Sequence, residues 1–287
     1  MPLELATTPG APVEFSDYIA HVRGEVDPLD TDSVLASAPM LRRLAENRDF
    51  LAQIMNEELK NASRFQAENG YSAQSLVLHK SETWAVRVNL WETADRLKDP
   101  RAFSYGLPHD HNFDFLTVGY WGDGYVSENW EYDGAHIDGL PDEKVALSYA
   151  GRRTLAPGDI LFYRKACDIH TVYPPSRFSV SVNMTLRGSG YLQPQYIFDT
   201  DHQRVQAPIY LQGSARMVLE AIRSLGNEDS KDIVDWISTG HPCRHTRAAA
   251  YATLYELEPD DRAAQGRRAG ADGSGYVRAM AKRMYAG

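Results

Sequence analysis

Cysteine is scarce: the 287 residues hold two, Cys167 and Cys243. Two thiols cannot build a disulfide framework, and the count fits a reducing compartment. Positive charge is also short. Thirty Lys and Arg stand against 39 Asp and Glu, for a net charge of −9. A binder of phosphate backbones needs a basic stripe, so nucleic acid is not an expected partner. No run of about 18 apolar residues exists, so no membrane span is expected. Residues 1–12 lack the basic and apolar regions of a signal peptide. A cytoplasmic location follows as the expectation. No internal repeat is visible, which excludes solenoids and propellers.

Aromatic residues are plentiful, with 16 Tyr, 9 Phe and 5 Trp, which suits a β-rich core or a pocket. Residues 1–12 read as a loose arm. Phe15 to about Asn69 reads helical, broken near Pro39 and stopped at Asn69-Gly70. From Ser75 the apolar period changes to two. Over Thr83–Trp91, Trp84, Val86, Val88 and Leu90 face one way, and Ala85, Arg87, Asn89 and Trp91 the other. A polar loop over 92–107 precedes a strand from His109 to Trp121. Gly122-Asp123-Gly124 then reads as a hairpin turn into Tyr125–Tyr132. Further strands are expected near 145–155, 159–164, 169–173 and 178–186, with another hairpin over 193–207. So many short strands at close spacing indicate an all-β barrel or sandwich. The helical period returns over 214–225, 230–239 and 244–257. Residues 259–275 read as loose, and 276–285 as a last short helix. Three regions result: a helical extension (1–72), a β-domain (73–207) and a C-terminal helical region (208–287).

The chemistry concentrates in Pro108-His109-Asp110-His111, answered by Pro157-Gly158-Asp159 and His170. In extended chain, residues two apart share a face, so His109 and His111 can bind one ion together. His170, at the start of another β-run, would complete one face of the coordination shell. Three neutral imidazoles leave an ion its charge and about three open positions, which suits Fe(II). Zn(II) also accepts three His and a water. Asp110 is expected to point away from the ion, with Asp114 on its face unless a bulge intervenes. Asp114 is a candidate for orienting an imidazole. Arg87 and Asn89 share the strand face opposite the apolar row. If that face looks inward, Arg87 can hold a substrate carboxylate through two N–H groups. Tyr105, Tyr163 and Asn183 are candidates for hydrogen bonds in the same pocket. His241-Pro-Cys-Arg-His245 has too few ligands for structural zinc and reads as a helix start with exposed histidines.

These residues resemble the cupin superfamily. Its first motif, G-x5-H-x-H-x3,4-E-x6-G, is similar to the run from Pro108-His109-Asp110-His111 to Gly119. Its second, G-x5-P-x-G-x2-H-x3-N, is met in its opening by Gly151 and Pro157. Pro157 and Gly158 are adjacent where the family has one residue between them, and His170 stands twelve after Gly158. Phe115 and Leu116 occupy the acidic position. The resemblance therefore implies three His and no carboxylate, as in the thiol dioxygenase branch, where three His bind Fe(II). That branch carries a Tyr on its final strand, where this chain has Ser181, Asn183 and Thr185.

The expectation is a cupin-type β-barrel (double-stranded β-helix) with N- and C-terminal α-helical extensions, binding one metal through His109, His111 and His170. Asp114, Tyr163 and Asn183 are the candidate catalytic residues, and Arg87, Asn89 and Tyr105 the candidate substrate-binding ones. The expected activity is an Fe(II)-dependent oxygenase using O2 on a small polar metabolite, amino acid or thiol-like. The alternatives are a Zn-, Mn- or Ni-dependent isomerase, lyase or hydrolase, and a non-catalytic small-molecule binder. Exposed sheet edges offer a route to a homodimer.

Overall fold

The computed structural model describes residues 2–60, 66, 74–97, 103–188, 193–210 and 215–285. The chain runs β1 (Leu3–Glu4), α1 (Phe15–Glu25), α2 (Thr31–Ala36), α3 (Ala38–Glu46), α4 (Phe50–Lys60), β2 (Ser75–Lys80), β3 (Trp84–Trp91) and β4 (Phe115–Trp121). It continues with β5 (Val126–Glu131), β6 (Ser148–Thr154), β7 (Ile160–Tyr163), β8 (Asp168–Tyr173), β9 (Ser179–Leu186), β10 (Gln195–Asp199) and β11 (Arg204–Ile209). Five helices close it: α5 (Ala215–Leu225), α6 (Glu228–Gly240), α7 (Arg244–Leu257), α8 (Arg262–Gly270) and α9 (Gly275–Tyr285). None of the described helices is long and apolar enough to cross a membrane. Two compact units form, one of residues 1–134 and 146–191, the other of 135–145 and 192–287.

In the first unit one sheet has the order β1-β7-β4-β9-β3-β2, and a second has β6-β5-β8. Residues 105–109 extend the second sheet through bridges from Tyr105 to Val172 and from His109 to His170. From β4 to β9 the chain crosses repeatedly between the two sheets, with β5 and β6 paired consecutively in the second. The β-rich part of the chain is thus built from two mostly antiparallel sheets, with helices before and after it in sequence.

The larger sheet is sided. Leu116, Val118, Ile160, Phe162, Val182 and Met184 join one apolar core with Tyr18, Leu41, Leu44 and Phe50 of the N-terminal helices. The other face carries Arg87, Asn89, Thr117, Ser181 and Asn183, all buried. Polar side chains stay buried only when they find partners. Thr117 Oγ1 donates to Asn183 Oδ1 at 2.6 Å, Ser75 Oγ to Asn89 Oδ1 at 2.6 Å, and Trp91 Nε1 to Ser181 Oγ at 3.0 Å.

Several expectations change. His109–His111 is not continuous with β4, because bends at Asn112 and Phe113 intervene. Gly122–Gly124 does not close a hairpin: β4 and β5 belong to different sheets, and the turn carries the chain across. Both glycines have positive φ, and a Cβ on Gly124 would collide with the Leu155 carbonyl. The N-terminal arm is not loose throughout, since Leu3 and Glu4 pair with Phe162 and Leu161. Residues 262–270 form a helix because Gln265 and Ala269 are buried, and tertiary packing outweighs glycine propensity. The Asn69-Gly70 stop lies outside the described residues.

The second unit holds the β10–β11 hairpin and helices α5 to α9. His245 is not exposed; it is 1 % accessible. The Tyr196 hydroxyl meets its Nε2 at 3.0 Å and the Tyr210 hydroxyl its Nδ1 at 2.9 Å, while the Tyr276 ring stacks at 3.7 Å. Burial, helped by Arg244 and Arg216, lowers its pKa from 6.5 to about 3. Above pH 6.5 the ring is neutral in folded and unfolded chains alike. Below it, only the unfolded chain takes the proton, so stability falls as the pH drops toward 3, by about 1.4 kcal/mol per pH unit. His245→Gln is expected to remove that contribution. Urea midpoints followed between about pH 6 and pH 4 should fall less steeply in the variant; equal slopes would contradict the assignment.

Candidate metal centre

The segment holding His109 and His111 is fixed by backbone before any metal is considered. The His109 N–H donates to the His170 carbonyl at 3.1 Å, and the His170 N–H returns to His109 at 2.9 Å. His109 and His170 therefore sit directly opposite each other. The His111 carbonyl accepts from the Ala166 N–H at 2.9 Å, which ties down the far end.

His109, His111 and His170 each offer a ring nitrogen, and all three lie within 4.8 Å of one another. His109 Nδ1 is 2.8 Å from the Leu107 carbonyl, which leaves Nε2 as the ligating atom. His111 Nε2 and His170 Nε2 are 3.2 Å apart. Two nitrogens about 2.0–2.1 Å from one ion, at octahedral or tetrahedral angles, lie roughly 3.0–3.4 Å apart. The donor set thus fits a first-row divalent ion. Burial favours the neutral, ligating form of His109 and His170. It lowers His109, with the Leu107 carbonyl opposing and Arg87 assisting. It lowers His170 well below the usual range, assisted by the charges of His109 and Arg87.

Arg87 lies on the inner face, 8 % accessible, with its guanidinium 5.4 Å from the Phe113 ring centre. Its charge adds to the lowering of both His109 and His170. Tyr163 stacks on Phe115 at 4.7 Å and meets the His170 ring edge-on at 4.8 Å. Its hydroxyl lies 3.3 Å from Ser127 Oγ and 3.4 Å from Asn129 Oδ1. Burial pushes Tyr163 up to about 12, opposed by hydrogen bonds from Ser127 and Tyr125.

The remaining candidates scatter. Asn89 and Asn183 face inward but bind Ser75 and Thr117. Tyr105 donates to the Glu92 carbonyl at 2.9 Å and stacks on Phe103. Asp114 turns away, and its Oδ1 accepts the Lys165 N–H at 2.7 Å. Asp110 is buried and accepts from the Tyr132 hydroxyl at 2.5 Å. Sequence reasoning passed over Tyr125, which packs on Trp91 at 4.2 Å and hydrogen-bonds Tyr163. Period two along Tyr125, Ser127 and Asn129 was the signal available. Glu131, Cys167 and Asp168 form a second cluster of potential ligands. Arg164 bridges Glu131 and Asp168, and its guanidinium supplies the positive charge there.

No protein-family model matches the sequence, and no curated protein matches it. Among solved structures, the chain is similar to hydroquinone 1,2-dioxygenase from Sphingomonas sp. TTNP3 with 4-hydroxybenzoate bound. That match has 13 % identity and a TM-score of 0.29, over 43 % of this chain and 71 % of that one. It is also similar to the DMSP lyase DddQ from Ruegeria pomeroyi DSS-3, at 14 % identity and a TM-score of 0.25, over 66 % of this chain and 78 % of that one. A third is the vicilin from Solanum melongena, at 12 % and 0.26, over 42 % and 30 %. Likeness at this level carries no argument about chemistry, which rests on the side chains above.

The Asp110–Tyr132 pair tests the inward–outward assignment. Tyr132→Phe is expected to cost about 1–3 kcal/mol of stability by leaving a buried carboxylate short of a donor. Metal content per chain should stay at the wild-type level. A variant of normal stability that loses its metal would place Asp110 in the centre instead.

Proposed function

We propose that the chain is a metal-dependent oxygenase of small carboxylate-bearing metabolites, with Fe(II) held by His109, His111 and His170. The carrying observation is that three clustered imidazoles and a buried arginine belong to one unit of the fold. When bound, Fe(II) supplies open coordination positions at which substrate and O2 meet.

The chain's own residues do the rest. Arg87 receives the substrate carboxylate through two N–H groups, the planar fork that lysine lacks. Phe113 lies against the guanidinium and keeps water from its face. Phe115 and Tyr163 form a stacked wall beside the imidazoles and exclude solvent. Tyr163 keeps its proton at neutral pH and donates or accepts within the Ser127–Asn129–Tyr125 network. Amino acids and thiol acids fit the requirement for a small carboxylate with a polar group to place at the ion.

A second reading is a lyase, isomerase or hydrolase with Zn, Mn or Ni. The Tyr125–Tyr163 pair beside His170 favours it, because a hydrogen-bonded phenol can move a proton without O2.

Oxygen uptake separates the two. The protein, reconstituted anaerobically with Fe(II), is mixed with a panel of amino acids and small thiol acids. Substrate-dependent oxygen consumption is expected. Arg87→Gln should raise KM about tenfold or more while metal content holds. Turnover of a panel compound without oxygen, supported by Zn or Mn, would replace the oxygenase reading with the second. Arg87→Gln with unchanged KM would remove Arg87 from the site.

A further inference from the structure

The second unit carries a trough of about 630 Å³ between α8 and α9. Arg262, Arg267, Arg278 and Lys282 line it, and no carboxylate does among the described residues. This is unusual in a chain of net charge −9. Residues 262–285 alone hold six Lys and Arg against Asp272 as the single acid. The floor is open because the helices present small residues there. Nothing lies within 4 Å of where a Cβ on Gly270 would stand, and a Cβ on Gly266 would press on the Tyr285 ring at 3.1 Å.

The cations are not explained by local pairing alone. Arg262 stacks over the Tyr255 ring at 3.9 Å and reaches Glu256 at 3.6 Å. Arg267, in the last turn of α8, suits the negative end of that helix. Arg278 does the opposite. It sits in the first turn of α9, where the dipole favours an anion, and donates one N–H to the Asp272 carbonyl at 2.7 Å. An anion in the trough that Arg278 lines would offset that local cost.

We propose that this trough binds a small phosphorylated molecule through its phosphate or diphosphate group. The volume lies in the range of small-ligand sites, about 300–1,000 Å³. Arginine forks match phosphate oxygens in pairs. Tyr255 and Tyr285, with ring centres 5.1 Å apart, lie where the organic part of the ligand would rest.

Titration calorimetry of the full chain with inorganic pyrophosphate tests this site. One site per chain is expected, with affinity falling at least about tenfold in Arg278→Gln/Lys282→Gln and falling also with added salt. Arg278→Gln gives up an exposed hydrogen bond to the Asp272 carbonyl, so Lys282→Gln alone, whose affinity should also fall, serves as the variant that leaves that contact in place. Absence of binding, or equal binding by the variant, overturns the proposal. A single-stranded oligonucleotide that binds more tightly than pyrophosphate, and is lost in the same variant, overturns the small-molecule class in favour of nucleic acid. The readout is binding, so it stands or falls apart from any oxygen uptake.

Discussion

The reciprocal backbone hydrogen bonds between His109 and His170 are the constraint on which the metal centre depends. They lock an irregular segment against β8 and place two imidazoles opposite each other. His111 follows by spacing alone, since residues two apart in extended chain share a face. The imidazoles are thus oriented by main-chain geometry. The His109 ring is further turned by the contact of its Nδ1 with the Leu107 carbonyl. A site organised in this way is arranged before the ion arrives, so little ordering remains to oppose binding.

Sidedness of the larger sheet supplies the second half of the account. Its apolar rows are used against the N-terminal helices. The rows between them must then face the second sheet, and they are polar. That reverses the usual expectation for the inside of a small barrel, where side chains fill the space with hydrocarbon. A buried polar wall is costly unless satisfied. The Thr117–Asn183, Ser75–Asn89 and Trp91–Ser181 hydrogen bonds satisfy much of it. Arg87 then becomes the charged group of an interior already suited to a polar guest.

Much of this was legible in the chain. Period-two alternation over Trp84–Trp91 and Phe178–Leu186 located the strands and separated their two faces. The H-x-H spacing and the later His170 named the cluster. What could not be read depended on contacts distant in sequence. The pairing of Leu3 with Phe162 spans most of the first unit. The burial of His245 needs tyrosines some 49, 35 and 31 positions away. The Gly122–Gly124 turn has the composition of a hairpin, and only the partner sheets reveal that it crosses between them. Asp114 could be placed on a face by alternation only if the strand were regular, and the bends before β4 break that regularity.

The most direct test is elemental analysis of the purified full-length protein beside a His109→Ala/His170→Ala variant, both after anaerobic exposure to Fe(II). The account predicts about one metal ion per chain in the wild type and none bound tightly in the variant, with both proteins folded by circular dichroism. Wild-type protein that binds no stoichiometric metal, or a variant that keeps it, would contradict the three-histidine centre.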